Sequence, residues 1–156
     1  MTHYFEIEQT NKHGLFILML DLDYFKKIND HYGHEMGDRV LIEVTRFFRQ
    51  SITKGYVFRI GGEEFAIFLP NSDPQGALDF AQELREQLAS TIHNIDEQAI
   101  NLTVSIGVAC YTPNQTLKSF IKRADDALYQ AKQQGRNRVV TAYELNQQLT
   151  RCNKAS

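Results

Sequence analysis

Four carboxylates stand where apolar runs break off. Leu15-Phe16-Ile17-Leu18-Met19-Leu20 runs straight into Asp21-Leu22-Asp23, and Gly61-Gly62-Glu63-Glu64 separates Tyr56-Val57-Phe58 from Phe65-Ala66-Ile67-Phe68-Leu69. Side chains alternate along an extended chain. Asp21 and Asp23 therefore share a face if the strand runs on through Leu22, and only one of Glu63 and Glu64 reaches a ligand beside them. Asp21 with one glutamate makes a hard-oxygen cage. Mg²⁺ suits it best, with the remaining ligands from water, backbone or phosphate. The plainer reading is an N-cap at Asp23, a satisfied acid at Asp21 and a solvated turn at the hairpin.

Cations and amides could supply the complementary half of such a site. The helix after Asp23 presents its first N–H groups, which suit a phosphate, with Lys26 beside them; Lys27 reads as an ordinary solvated lysine. Lys132 and Arg136 either reach phosphates, as lysine and arginine often do, or simply complement the dipole at a helix C-terminus. Spacing alone favours the second. Asn29 and Asp38 pair an amide with a carboxylate, which matches the hydrogen-bonding edge of guanine; otherwise Asp38 caps its helix. His34 has no nameable partner and reads as a supporting residue. No nucleophile–base arrangement stands out. The acids and local cations together point to metal-assisted phosphoryl chemistry.

The elements that must position these residues follow from apolar spacing. Residues 1–14 are polar with scattered aromatics, and Tyr4-Phe5-Glu6-Ile7 reads as part of a helix that His13-Gly14 ends. The run at 15–20 is apolar on both faces, like a central, doubly covered strand. A helix capped by Asp23 begins near Tyr24 and stops by Gly33. A second starts near Gly37-Asp38, with Val40, Leu41, Val44, Phe47 and Phe48 at helical spacing. Gly61-Gly62 marks a tight hairpin, opened by Gly55 and closed by Pro70-Asn71-Ser72. Asp73-Pro74 starts a helix with proline at its first position. Residues 102–108 alternate and read as a half-buried strand. Thr116 begins a helix that Gly135 ends. Val139-Val140 makes a short last strand, and 146–156 is a loose polar tail. This mixture predicts an α+β fold, a largely antiparallel central sheet covered by helices. One domain spans 15–145, after the remnant of an N-terminal helix or linker at 1–14.

Bulk properties narrow the partners. The 156 residues suit one domain with a real core, and 42% hydrophobic with 23% charged residues is a globular balance. A net charge of -2 gives no basic field for nucleic acid or an anionic membrane, so phosphate binding must be local. Cys110 and Cys152 lack metal-ligand spacing and read as free thiols of a reducing, cytoplasmic compartment. His3, His13, His31 and His93 suggest no metal cluster. The run at 15–20 is too short to span a bilayer and lacks a leader pattern.

The motifs together resemble the GGDEF family, the diguanylate cyclase domains. Gly61-Gly62-Glu63-Glu64-Phe65 is the variant signature with Glu in third place. Asp21-Leu22-Asp23-Tyr24-Phe25-Lys26-Lys27-Ile28-Asn29-Asp30 resembles the family's D-x-D-x-F-K-x-x-N-D, and Gly33-His34-Glu35-Met36-Gly37-Asp38 its G-H-x-x-G-D. Ser105-Ile106-Gly107-Val108-Ala109, Ala124-Asp125-Asp126-Ala127-Leu128-Tyr129 and the Lys132 to Arg138 stretch complete the likeness. The resemblance implies a fold similar to nucleotidyl cyclases and polymerase palms. It implies condensation of two GTP to cyclic di-GMP and two pyrophosphates between two copies of the domain. Asp21 and Glu63 would bind two Mg²⁺ or Mn²⁺ ions with the Leu22 carbonyl, and Glu63 would assist removal of the 3'-hydroxyl proton. Asn29 and Asp38 would read guanine. The N–H groups of Phe25 and Lys26, with Lys132 and Arg136, would hold phosphates, while Gly61 and Gly62 admit the nucleotide. Glu64 would support the hairpin.

Two departures from the family pattern stand out. The stretch D-x-L-T-G-L-x-N-R expected before the first strand is missing, so the resemblance leaves open a catalytically weak or inactive GTP-binding module, or an interaction module for another cyclase. A sensor or receiver domain is expected upstream in a full-length protein. The second departure is at the inhibitory product motif R-x-x-D, where Ile52 and Gly55 occupy the Arg and Asp positions. Titration calorimetry is therefore expected to find no tight cyclic di-GMP complex at Ile52 and Gly55; a tight complex there would contradict this reading.

Overall fold

The computed structural model describes residues 1–10 and 14–155. The chain order is α1 (Thr2–Thr10), β1 (Phe16–Leu22), α2 (Phe25–Tyr32), α3 (His34–Ser51), β2 (Tyr56–Gly61), β3 (Glu64–Leu69), α4 (Pro74–Ser90), β4 (Ile92–Ile95), β5 (Gln98–Asn101), β6 (Val104–Cys110), α5 (Leu117–Gln133), β7 (Val139–Thr141) and α6 (Tyr143–Ala155). Five strands form one sheet in the order β2-β3-β1-β6-β7. All its pairs are antiparallel except β6 with β7. The α+β class and the largely antiparallel sheet agree with the apolar pattern.

β1 is central and buried at every residue. Its alternation feeds two cores. Phe16, Leu18, Leu20 and Leu22 pack with Val40, Val44 and Phe48 of α3 and with Ala81, Leu84 and Leu88 of α4. Ile17 and Met19 pack with Phe120, Ala124 and Leu128 of α5. Each such large side chain stabilises by roughly 1.5–3 kcal/mol when taken out of water. The next residue on the α5 face is Asp21, so the pleat itself aims a carboxylate at α5.

β6 is also buried throughout, not on one face as its alternation suggested, because helices cover both sides of it. Gly107 lets α5 lie directly on this strand: a Cβ there would overlap the backbone of Ala124 and Leu128. That close contact sets the height of Lys132, one turn beyond Leu128.

Several boundaries differ from the sequence reading. α3 begins at His34, so Asp38 lies inside the helix and does not cap it. The ribbon β4–β5 was not foreseen; its turn uses two left-handed residues, Asp96 (φ 49) and Glu97 (φ 64). The expected loose tail is mostly α6, which buries Leu145 and Leu149 in the first core. Two apolar residues four apart were enough, and the polar majority hid them. The helix read around Tyr4-Phe5-Glu6-Ile7 is present as α1. Phe5 of α1 is buried against Tyr111 and Phe120, with ring centroids at 5.5 and 6.1 Å. The proposed stop at His13 lies outside the described residues, as does the side chain of Cys152; Cys110 is a buried free thiol. No helix among the described residues is long and apolar enough to cross a membrane.

Truncating Leu145, which is fully buried, to Ala is expected to lower unfolding stability by about 3 kcal/mol. Urea denaturation measures it; an unchanged midpoint would show that α6 lies outside the cooperative core.

Candidate active site

The carboxyl end of β1, the β2–β3 turn, the start of α2 and the end of α5 meet around one cleft of about 380 Å³. Asp21, Leu22, Tyr24, Phe25, Lys26, Lys27, Asp30, Glu63, Lys132 and Arg136 line it. A larger cavity of about 700 Å³ lies against α5 between Thr2, Leu117 and Ile121, but it brings no pair of carboxylates together.

Asp21 is fixed from both sides by strand register, opposite Glu64 of β3 and Ser105 of β6. Its carboxylate accepts from the Lys132 ammonium at 2.9 Å. Burial pushes its pKa above the ordinary aspartate value, against the lowering effect of Lys132; the charges of Glu63 and Glu64 push it further up. Desolvation therefore outweighs the ion pair.

Glu63 occupies the hairpin turn after Gly62, whose φ of 51 is a left-handed conformation that glycine adopts without strain. The turn is tied to β1 by the Leu22 N–H donating to the Glu63 carbonyl at 3.3 Å. Arg59 Nε donates to the Gly62 carbonyl at 2.9 Å. Glu63 lines the cleft and the exposed Glu64 does not, in keeping with only one neighbour reaching inward. A Cβ added at Gly61 or Gly62 would meet nothing within 4 Å, so there is open room over the turn.

Asp23 does not cap α2. Tyr24 holds that position, left-handed at φ 56 and ψ 28, with no side-chain cap bond. β1 ends at Leu22, and the buried Asp23 carboxylate is drawn away from the cleft into a network. Oδ1 accepts from Ser105 Oγ at 2.7 Å; Oδ2 accepts from Thr103 Oγ1 at 2.7 Å and from the Asn137 N–H at 3.0 Å. These bonds leave it no role as a cleft acid. They pin the turn after α5, where Arg136 (φ 63) and Asn137 (φ 44) are both left-handed.

The phosphate-type groups converge. Lys132 and Arg136 face the same cleft as Phe25 and Lys26, whose N–H groups open α2 without helical partners. Lys27, read as merely solvated, also lines the cleft and sits 4.5 Å from the centroid of the Tyr24 ring. Asn29 and Asp38 lie apart from the cleft on α2 and α3. The Asn29 side chain packs on Gly37, where a Cβ would collide with it, next to the exposed Asp38. His34 is exposed at the start of α3, outside the cleft. Tyr24 and Asp30 were not singled out by sequence reasoning. Their only signal was position within the run after Asp21.

The donor chemistry fits a hard divalent cation: the carboxylates of Asp21, Asp30 and Glu63 with backbone oxygen, and no imidazole or thiol. Among the described residues, no three or more His, Cys, Asp or Glu gather as a metal cage. A cation here would complete its shell from outside the protein, as Mg²⁺ does with phosphate oxygens.

The family model described as "Diguanylate cyclase, GGDEF domain" matches residues 1–138. This chain belongs to the GGDEF family. Diguanylate cyclase A of Treponema denticola is 42% identical over 144 residues, covering 89% of this chain and 38% of the relative. The chain thus spans well under half of that relative's length. The active GGEEF domain of a diguanylate cyclase from Vibrio cholerae superposes with a TM-score of 0.80 at 32% identity, covering 90% of each chain. The GGDEF domain of DgcB from Caulobacter crescentus, solved in complex with c-di-GMP, gives a TM-score of 0.79 at 32% identity over 88% of this chain and 82% of that one. This GGDEF domain therefore shares the fold of those cyclase domains.

The raised pKa of Asp21 predicts a stability trade. A carboxyl whose folded pKa lies above its unfolded value weakens the fold as pH rises through that interval. Asp21→Asn is therefore expected to melt higher than the native chain at pH 7. The gap should close as pH falls below the ordinary value of 3.8. Thermal melts from pH 3 to 8 check it; a native chain that gains on the variant as pH rises would reverse the sign.

Proposed function

We propose that this domain condenses two GTP molecules into cyclic di-GMP, releasing two pyrophosphates. The observation that carries this reading is the convergence of Asp21 and Glu63 with Lys132, Arg136 and the first amides of α2 on one cleft. A triphosphate needs both halves: cations and N–H groups for its oxygens, and acids to hold its counter-ions. Lys132 and Arg136 bind the β- and γ-phosphates, helped by the Phe25 and Lys26 N–H groups. Lys132 shifts from Asp21 toward phosphate as nucleotide enters, so the acid is freed when it is needed. Asn29 and Asp38 orient guanine through its amide-like edge. Asp21, Glu63 and the Leu22 carbonyl hold Mg²⁺ or Mn²⁺, two ions per site; bound there, such ions lower the pKa of a ribose 3'-hydroxyl and neutralise departing pyrophosphate.

One cleft positions one nucleotide. Each half-reaction needs the 3'-oxygen of one GTP to bond to the α-phosphorus of the other while the bond to pyrophosphate breaks. Two copies of the domain, facing across a two-fold axis, supply the two half-sites. GTP and a buried free thiol at Cys110 suit a cytoplasmic setting.

Incubation with GTP and Mg²⁺, followed by chromatography, is expected to yield cyclic di-GMP and pyrophosphate from the native chain. Glu63→Ala is expected to lose roughly 100-fold or more of the rate. GTP binding without turnover, even with dimerisation enforced by a fused coiled coil, would instead support a regulatory GTP-binding module.

A further inference from the structure

Tyr24 is a large aromatic residue, 51% exposed, in a left-handed conformation rare for its type. Neither burial nor capping accounts for it. Its ring lies 4.9 Å from the Arg136 guanidinium carbon and 4.5 Å from Lys27 Nζ, all three lining the cleft. We propose that Tyr24 is a positioning residue that holds the Arg136 guanidinium at the cleft mouth, ready for the phosphates of a nucleoside triphosphate; this rests on the reading of the cleft as a GTP site.

The argument runs from both ends of Arg136. Its backbone is anchored where the following residue, Asn137, donates to Asp23. Its guanidinium meets the ring of the next residue in the chain after Asp23. Adjacent residues thus grip the turn by its main chain and by its charge. The nature of the holder matters. A carboxylate in place of the ring would neutralise Arg136 and compete with phosphate, whereas an aromatic face attracts the cation and leaves its full charge and all its N–H donors available. The same ring also draws in Lys27, so two like charges at the mouth share one aromatic partner.

Steady-state kinetics with GTP and Mg²⁺ test this. Tyr24→Leu is expected to raise KM about threefold, with a smaller effect on kcat. Tyr24→Phe, which keeps the aromatic face, should restore the native KM. Tyr24→Leu added to Arg136→Ala should raise KM no further. An equal rise on that background, or a Phe variant as impaired as Leu, overturns the proposal. Side-chain NMR of the nucleotide-free protein reads the contact independently of turnover. Arg136 resonances should carry a ring-current shift that Tyr24→Leu removes and Tyr24→Phe keeps; resonances indifferent to Tyr24→Leu overturn the positioning. A shifted Arg136 in a chain that neither binds nor converts GTP overturns the GTP reading of the cleft, and with it the purpose given to the contact.

Discussion

The Asp21 carboxyl is held where burial resists its charge, and the architecture around it is what keeps it there. A free carboxylate would turn toward water. Asp21 cannot, because its strand is paired on both edges and covered on both faces. Lys132 answers part of the cost from α5, which is seated on β6 through Gly107. On the proposed reading, this poorly compensated acid is the one that would take a cation. The central strand thus gives up some stability to hold Asp21 in the cleft, the kind of trade expected where function and folding make opposite demands.

The two aspartates of the Asp21-Leu22-Asp23 run divide the work. Asp21 keeps its carboxylate in the cleft. Asp23, just past the strand end, accepts from Thr103, Ser105 and the Asn137 N–H with both of its oxygens. It therefore joins the end of β1, the start of β6 and the turn after α5 in one buried knot. Two consecutive left-handed residues other than glycine persist in that turn only because the surroundings over-determine it. Cleft cations carried on a terminal helical turn would otherwise fray with it.

Much of this was legible in the residues alone. The doubly apolar run at 15–20, the Gly-Gly hairpin and the helix starts at Asp73 and Thr116 are local signals, and local signals survive folding: both helices start there, and the two side chains accept from the N–H groups of Gly76 and Ser119. A meeting of Asp21 with one of the two hairpin glutamates was also readable from strand alternation and turn chemistry; that it is Glu63 came from the family resemblance. The role of Asp23 was not. Its partners are distant in sequence, and an aspartate before a helix looks the same whether it caps the helix or reaches across the sheet. For Lys132 and Arg136, spacing favoured a dipole role, since only the packing of α5 on β6 reveals which way the helix end faces. α6 was hidden because Leu145 and Leu149 are a thin apolar stripe in a polar segment. Their burial is supplied by the core they meet, not by the helix itself.

The hairpin that carries Glu63 shows why the site has one rigid wall and one adjustable wall. A hairpin tip is ordinarily among the least restrained parts of a sheet. Here the Leu22 N–H bonds the Glu63 carbonyl, Arg59 bonds the Gly62 carbonyl, and Glu64 is in register with Asp21. The two cleft acids are therefore coupled through main chain and cannot separate without breaking sheet bonds. The opposite wall is held by side chains: the Lys132 ammonium, the Tyr24 ring, the Lys27 and Arg136 cations. Such groups change rotamers in nanoseconds or faster, while sheet register does not. On the proposed reading, entry of a triphosphate would call for rearrangement of the cations around acids whose main chain is fixed, which would place the tuning of nucleotide affinity on α2 and the end of α5.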